Sequence, residues 1–478
     1  MQKGKSKQDL FSLQSLEGIK RITVSGYKSI SQEQSVEIRP LTLLAGANSS
    51  GKSSIVQPLL LLKQTLDATY DPGALLLNGP NVKFTSFDQL LSNVGKGKRA
   101  HSFIVGVEIT SYQEEYGTID DGEPEERLVA LDATIAISFG KQPQGGFDVQ
   151  QMVYNDDNQD GQIDLRPGMS EEEIASAFPE YIREGLKKEL GKGANGLVKS
   201  LSASRLMIGR ERCYLRVEVS PGSSQLFILL PSQPASEYFS PFIREIIHLP
   251  GLRGNPERAY PVTAVGTAFP GTFEHYTASI IARWQMEKKE DKIAQLSADL
   301  EKLGLTWKVA ARRINDAEVE LQVGRLPKAK NGTRDLVNIV DVGFGVSQTL
   351  PVLTALLAAK PGQLVYLEQP EIHLHPRAQL AMAEVLTDAA KRGVRVVVET
   401  HSDLLLLGIQ MLIAEGRLSP ELTKLHWFTR GSDGVTKTAS ADLDSSGAFK
   451  DWPEDFGDVA LHAQSRYLDA AEAVALRH

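Results

Sequence analysis

The sequence predicts an α/β fold built on a mixed sheet and split by a long α+β insertion. Three observations carry that prediction. An apolar strand, a glycine-containing turn and an apolar helix follow one another between residues 41 and 66. The same strand-and-helix order returns only from about residue 336. Between the two lie alternating segments that read as antiparallel strands.

Residues 1–20 are polar and read as a tail or a short leading helix. Residues 21–24, 35–38 and 41–45 have the β-branched and apolar make-up of strands, and 55–66 has a helical apolar pattern. In the middle region, 103–109, 128–139, 213–219 and 225–230 alternate as half-buried antiparallel strands do. Acidic loops at 114–126 and 156–164 separate them, with a helix at 171–190. A second helix is expected over 273–303, its Lys/Glu-rich run at 287–292 forming a solvated face. That helix is too short for a long antiparallel coiled coil. Beyond 336, helices at 349–359 and 379–392 alternate with buried-type strands at 364–367 and 394–398. The expected organisation is an N-terminal lobe over 1–110, an inserted lobe over 111–335 and a C-terminal lobe over 336–478.

The 478 residues carry 52 Lys+Arg against 60 Asp+Glu, a formal net charge of -8. That balance excludes a globally basic nucleic-acid coat. Local basic clusters occur at 96–99, 187–192, 312–313 and 328–334, without interleaved aromatic residues, and read as solvated faces. The single cysteine, Cys213, excludes an internal disulfide and a cysteine-based zinc cluster. No apolar run is long enough for a bilayer, and the first residues lead into no apolar core. The expectation is a cytoplasmic protein without a membrane partner.

Residues Gly46-Ala47-Asn48-Ser49-Ser50-Gly51-Lys52-Ser53 fit G-x-x-x-x-G-K-[ST] at every defined position. Glycines let backbone amides curl around phosphate oxygens, and the following helix aims its positive end at the same place. Lys52 would reach the β- and γ-phosphates of a nucleotide, and the Ser53 hydroxyl would ligate magnesium. A magnesium-holding acid is then needed at the end of another strand, where Glu368 follows Leu364-Val365-Tyr366-Leu367. A further strand ends in Glu399-Thr400-His401, placing His401 where a γ-phosphate can be sensed. Upstream, Gly343-Phe344-Gly345-Val346-Ser347-Gln348 opens a helix and makes a second anion-binding end. One phosphate loop and a second phosphate-capturing helix start suggest a composite site, closed by another copy of the chain.

This order of Walker A loop (46–53), signature-like segment (343–348), Walker B strand (364–368) and histidine switch (401) resembles the ABC-type ATPases of the SMC, RecF and OLD group. More narrowly, Glu368-Gln369-Pro370-Glu371-Ile372-His373-Leu374-His375-Pro376 and Gly447-Ala448-Phe449-Lys450-Asp451-Trp452-Pro453 resemble stand-alone prokaryotic AAA/ABC-type ATPases, some of them components of antiphage defence systems. The resemblance implies an ABC-type ATPase head, a P-loop NTPase, using ATP and Mg2+. It implies that Asn48, Ser49, Ser50, Gly51, Lys52, Ser53 and Ser54 hold the triphosphate, and that Ser53 and Glu368 organise magnesium. It further implies that Ser347, with Gly345 and Gln348, contacts the γ-phosphate across a dimer, and that Tyr27-Lys28-Ser29 lies near the base. Gln89 is the candidate glutamine for sensing magnesium and the attacking water.

The sequence departs from that pattern at one point. The usual pair at the strand end is Asp-Glu; here it is Glu368-Gln369. Gln369 orients water but takes no proton. Either hydrolysis is slow and ATP serves as a dimer clamp, or Glu371 or His401 supplies the base, or the glutamine replaces a native glutamate. The partners the resemblance implies are a second copy of the chain and a separate effector nuclease. A repair or recombination ATPase acting directly on DNA is the alternative.

Three weaker patterns are set aside. Residues 156–164 match the start of a calcium loop, but position 12 is Pro167, so an acidic turn is expected. His373 and His375 alternate beside Glu371 and are read as structural. Arg253 and Arg258 are placed near the nucleotide or the dimer seam.

Overall fold

The computed structural model describes residues 17–93, 99–118, 124–156, 162–178, 204–221, 228–229, 234–263, 266–325 and 335–449. In chain order the first elements are β1 (Gly18–Ser25), β2 (Gln34–Glu37), β3 (Leu41–Gly46) and α1 (Lys52–Asp67). Then come β4 (Ser102–Thr118), β5 (Pro124–Lys141), β6 (Phe147–Asp156), β7 (Ile163–Leu165) and α2 (Glu171–Ala177). The middle continues with β8 (Ser204–Glu211), β9 (Tyr214–Pro221), β10 (Ile228–Leu229), α3 (Pro234–Arg244), β11 (Ile247–Leu249) and β12 (Tyr260–Pro261). Next are α4 (Thr277–Met286), α5 (Glu290–Lys302), β13 (Val309–Arg313), β14 (Glu318–Gly324) and β15 (Leu336–Asn338). The last part holds α6 (Phe344–Ala358), β16 (Leu364–Glu368), α7 (Pro376–Lys391), β17 (Arg395–Glu399), α8 (Asp403–Ala414), β18 (Thr423–Arg430) and β19 (Thr436–Ala441).

The central sheet has the order β11-β16-β17-β3-β18-β19. Its first five strands run parallel and β19 pairs antiparallel with β18, so the sheet is mixed, as expected. Both faces are covered, which is why its strands read as near-continuous apolar runs. Successive residues point to opposite faces. Leu41, Leu43, Val365, Leu367, Val396 and Val398 join one core with residues of α4 to α8, such as Ile281, Leu300, Leu353, Leu386 and Ile409. Leu44, Tyr366, Val397 and Phe428 join the other, with α1 and the antiparallel sheet β2-β1-β4-β5-β6-β7.

β4 runs through residue 110, and β11, from the middle segment, hydrogen-bonds to β16 as an edge of the central sheet. Main-chain pairing therefore continues across both expected boundaries. The helix expected over 273–303 is two helices, α4 and α5, with Lys288 between them at φ 53. Glu287 there pairs with Arg283 and Lys289, so the charge run satisfies a turn instead of decorating one long face. The signature helix α6 begins at Phe344, earlier than 349, so Gly345, Ser347 and Gln348 lie inside its first turns. α2 starts with a capping box, in which the Ser170 N–H donates to Glu173 Oε2 at 2.7 Å.

Residues 157–161 of the calcium-like segment lie outside the described residues, as do 96–98, 187–192 and 328–334 of the basic clusters. Among the described residues no group of three or more His, Cys, Asp or Glu is arranged to hold a metal. His375 caps α7 by accepting the Arg377 N–H, and His373 lies edge-on to Phe344 with ring centroids 5.0 Å apart, so both have structural contacts. Cys213 is buried, and burial pushes its thiol up to about 12. Among the described residues, no helix is long and apolar enough to cross a membrane.

Candidate functional site

The loop between β3 and α1 is shaped by its two glycines. Gly46 has φ 137, and a Cβ there would stand 2.3 Å from the Phe428 carbonyl oxygen. Gly51, the residue before α1, has φ 105, and its Cβ would stand 2.4 Å from Thr436 Oγ1. Only glycine fits both constraints, so the chain passes close to β18 and β19 and turns directly into the helix. Lys52 is buried and folds back over the loop, its Nζ donating to the carbonyls of Gly46 (3.0 Å) and Ala47 (2.8 Å). Burial lowers the Lys52 pKa, against the pull of Glu399.

A cavity of about 510 Å³ opens over this loop. Asn48, Ser49, Gly51, Lys52, Ser53 and Ser54 line it from the loop and helix start, and Gln369, Glu399 and His401 from the carboxyl ends of β16 and β17. Lys28, Ser29, Gln57, Leu91, Asn93 and Arg430 complete it. This is the crevice at the carboxyl edge of a parallel sheet, where α/β folds bind ligands. Among the described residues, three of the five non-glycine residues with positive φ, Lys28, Ser49 and Gln369, line this one cavity. Such backbone costs roughly 1–3 kcal/mol each and persists where the surroundings enforce it.

The predicted site residues divide into three groups. In the first, the loop residues, Gln369 and His401 share the cavity. The His401 imidazole is half-buried, and burial and the neighbouring Lys52 lower its pKa, so near neutrality it is uncharged. In the second, Glu368 and Glu371 do not line the cavity. Asn81 Nδ2 lies 3.1 Å from His248 Nδ1, and His248 Nε2 lies 3.1 Å from Glu368 Oε1. The Gly251 N–H donates to Glu368 Oε2 at 3.1 Å. Burial opposes the Glu368 charge, but these contacts hold its carboxyl below the usual range. Glu371 is buried; its Oε1 accepts from the Thr400 hydroxyl (2.5 Å) and the His401 N–H (3.2 Å). Its Oε2 is buried without a hydrogen-bond partner, and burial raises its pKa.

The third group lies apart. Ser50 is buried beneath the loop, its carbonyl accepting from the Thr436 hydroxyl at 2.7 Å. Gln89 sits in a short turn of 3₁₀ helix, its Oε1 accepting the Thr85 N–H at 2.9 Å, and does not line the cavity. Ser347 donates to the Phe344 carbonyl (2.9 Å) and Gln348 to the Gly254 carbonyl (3.0 Å). Ser347 lines a second cavity of about 210 Å³ with Arg253, Glu274 and Thr277. Gly345 packs near Leu305 and the His373 carbonyl. Arg253 is buried between α6 and β16, and Arg258 pairs with Asp341 at the surface at 2.8 Å.

Sequence reasoning missed Glu399, Gln57, Asn93 and Arg430. Glu399 accepts the Ser53 hydroxyl at Oε1 (2.9 Å) and the Tyr366 hydroxyl at Oε2 (2.8 Å). Burial raises its pKa, with these two hydrogen bonds opposing. A signal was present: Glu399 ends its strand as Glu368 ends the neighbouring one, and the two are register partners. Gln57 accepts from Lys28 Nζ at 2.6 Å. Burial lowers the Lys28 amine to about 8, and it lies 4.6 Å from the Phe84 ring centroid. Arg430 had no signal, because β18 carries no motif.

Comparison with known proteins gives one family and a set of distant folds. The family model described as "AAA domain, putative AbiEii toxin, Type IV TA system" matches residues 41–407, well over half of the chain. No curated protein sequence matches it. Among solved structures, the chain is similar to an SMC head bound to the C-winged helix domain of ScpA, at 14% identity and a TM-score of 0.45, covering 90% of this chain and 99% of that one. It is also similar to the SMC head domain from Thermotoga maritima, at 10% identity and a TM-score of 0.38, covering 89% and 100%. A third is an Smc head domain with an extended coiled coil, bound to the C-terminal domain of ScpA, derived from Pyrococcus furiosus; identity is 13%, TM-score 0.43, coverage 89% and 96%. With its phosphate loop and the strands β16 and β17 inside the matched span, the chain belongs to this AAA-domain family.

Proposed function

We propose that the chain is an ABC-type ATPase of slow turnover, whose heads pair on ATP and act as sensor or scaffold for a separate effector nuclease in a prokaryotic antiphage defence system. The observation that carries the ATP reading is the convergence of Lys52, Ser53, Gln369, Glu399 and His401 on one cavity at the start of α1. Lys52 exchanges its two loop carbonyls for phosphate oxygens, which its position between them favours. Ser53 and a strand-end carboxylate are hard oxygen donors suited to magnesium, which when bound neutralises charge on the β- and γ-phosphates. Gln369 orients the attacking water from the cavity wall without accepting its proton, and the uncharged His401 has a lone pair to offer. Slow hydrolysis follows from the missing carboxylate at position 369.

Pairing is supported by the location of Ser347, which lines a cavity other than the phosphate-loop cavity of its own chain. A second copy is the natural source of a signature helix facing the nucleotide. The defence reading is supported by the family description, which names a toxin of a type IV system. A direct role on DNA has less support, because Arg312 pairs with Glu320 (2.7 Å) and Arg313 with Asp316 (3.1 Å).

The test uses the full chain and its Lys52→Ala variant. Wild type should bind a fluorescent ATP analogue with magnesium and shift from monomer to dimer by light scattering; the variant should do neither. A wild-type chain that binds ATP but stays monomeric refutes pairing, and one that binds no ATP refutes the site. A nuclease co-purifying with the native protein supports the effector role, and salt-sensitive DNA binding by the chain alone counts against it.

A further inference from the structure

The strand pattern assigns the magnesium carboxylate to Glu368, and the geometry does not follow it. Glu368 and Glu399 end adjacent parallel strands as register partners, so they compete for one role. Glu368 Oε1 lies 3.1 Å from His248 Nε2, its Oε2 accepts the Gly251 N–H at 3.1 Å, and Glu368 does not line the phosphate-loop cavity. Glu399 lines that cavity, and its Oε1 is 2.9 Å from the hydroxyl of Ser53. We propose that Glu399, and not Glu368, supplies the carboxylate that holds magnesium beside Ser53 when ATP is bound. Tyr366 is its positioning residue, holding Oε2 at 2.8 Å from below the cavity floor.

The donor set fits the ion. Magnesium takes hard oxygens, keeps several waters and is bound in nucleotide sites by one or two protein groups together with phosphates. One strand-end carboxylate and one hydroxyl from the helix start are enough for that mode and too few for a dedicated protein cage, and among the described residues no group of three or more His, Cys, Asp or Glu is arranged to hold a metal. Burial of Glu399 (5% exposed) and its hydrogen bond from Tyr366 fix the carboxylate before any ion arrives. Glu368, held by His248 and the Gly251 N–H, ties β16 to β11 and the segment after it.

This inference rests on the Mg-ATP reading above, and its experiment separates the two. The affinity of full-length protein for a fluorescent ATP analogue is measured in EDTA and in excess MgCl2, for wild type, Glu399→Gln and Glu368→Gln. Mn2+ electron paramagnetic resonance on the nucleotide complex reports the ion directly. Wild type should bind more tightly with magnesium. Glu399→Gln should lose that increment, with Mn2+ held about 10–100-fold more weakly and binding in EDTA unchanged or tighter. Glu368→Gln should keep the increment within about twofold, a bound well below that loss. The proposal is overturned if Glu399→Gln keeps the increment or if Glu368→Gln abolishes it. Should Glu399→Gln fail to fold, the Glu368→Gln result decides alone. No nucleotide binding by wild type in either buffer would instead remove the ATP reading itself.

Discussion

Arg253 donates from Nη2 to the main-chain carbonyl of Glu368 at 3.1 Å, and so fastens the acidic strand to a second element. Its Nη1 donates to the carbonyl of Gln348, in the signature helix, at 3.3 Å. One buried guanidinium thus spans the two elements that must hold a fixed relation if a second copy is to read the state of this site. Burial lowers the Arg253 pKa to about 10, with Glu274, Glu371 and Glu368 opposing, so it stays charged at neutral pH.

Replacing Arg253 by Met should lower the unfolding free energy by about 2 kcal/mol, since two carbonyls lose their donor. Arg253→Lys should recover less than half of that, because a single ammonium does not span both acceptors. Urea denaturation of the three proteins checks the order. Equal stability of Met and wild type would remove the bridging role.

Gly51→Ala should disrupt the phosphate loop. The added methyl meets Thr436 Oγ1 at 2.4 Å on a backbone with φ 105, a combined strain of roughly 1–3 kcal/mol. Lowered melting temperature together with weakened binding of an ATP analogue is expected. A variant that melts with wild type and binds normally would show the loop adapts.

Gln369→Glu should raise ATP turnover by at least about tenfold, because it adds a proton acceptor to a residue already on the cavity wall. Glu371→Gln should leave ATP affinity unchanged, since Glu371 holds Thr400 and the His401 main chain from beneath. Steady-state phosphate release and nucleotide titration measure both. Turnover unchanged in Gln369→Glu would mean the wall position is not the one that faces water.

Stability should fall below about pH 6.5 through His426. This ring is buried between the Ser440 hydroxyl and the Glu37 carbonyl, each at 2.8 Å, and burial lowers its pKa to about 4. The unfolded chain therefore takes up this proton first. Stability is full above the unfolded value of 6.5 and is lost as pH falls towards about 4, by roughly 3 kcal/mol over the window. His401, also lowered, adds in the same direction. Denaturant midpoints between pH 7.5 and 4.5 should slope downward for wild type and less steeply for His426→Gln.

Much of this molecule is legible before any coordinates. Period and composition find β1 to β3, α1, β16, α7 and β17, because a sheet covered on both faces requires apolar strands that contrast with the glycine turn between them. The phosphate loop is legible because its chemistry demands glycine at two strained positions and a lysine next to them. Glu368 is found from its neighbours in sequence, whereas its two partners, His248 and Gly251, come from a distant segment that the strand pattern does not reveal. Glu399 is hidden by the histidine that follows it. Arg430 and Asn93 reach the cavity from elements without a motif, and only the pairing of β18 with β3 brings Arg430 there.

The placement of β3 between β17 and β18 sets the order of events during synthesis. The phosphate-loop strand emerges early, yet both of its hydrogen-bonding neighbours are encoded far downstream, the later one ending at Arg430. At ribosomal speeds of roughly 5–20 residues per second, β3 waits about 20–80 s with two open edges. An unpaired apolar strand is a template for the wrong partner. Nascent chains should thus pass through a vulnerable interval in which a chaperone shields this strand, and the ATP cavity should be the last part of the protein to become competent.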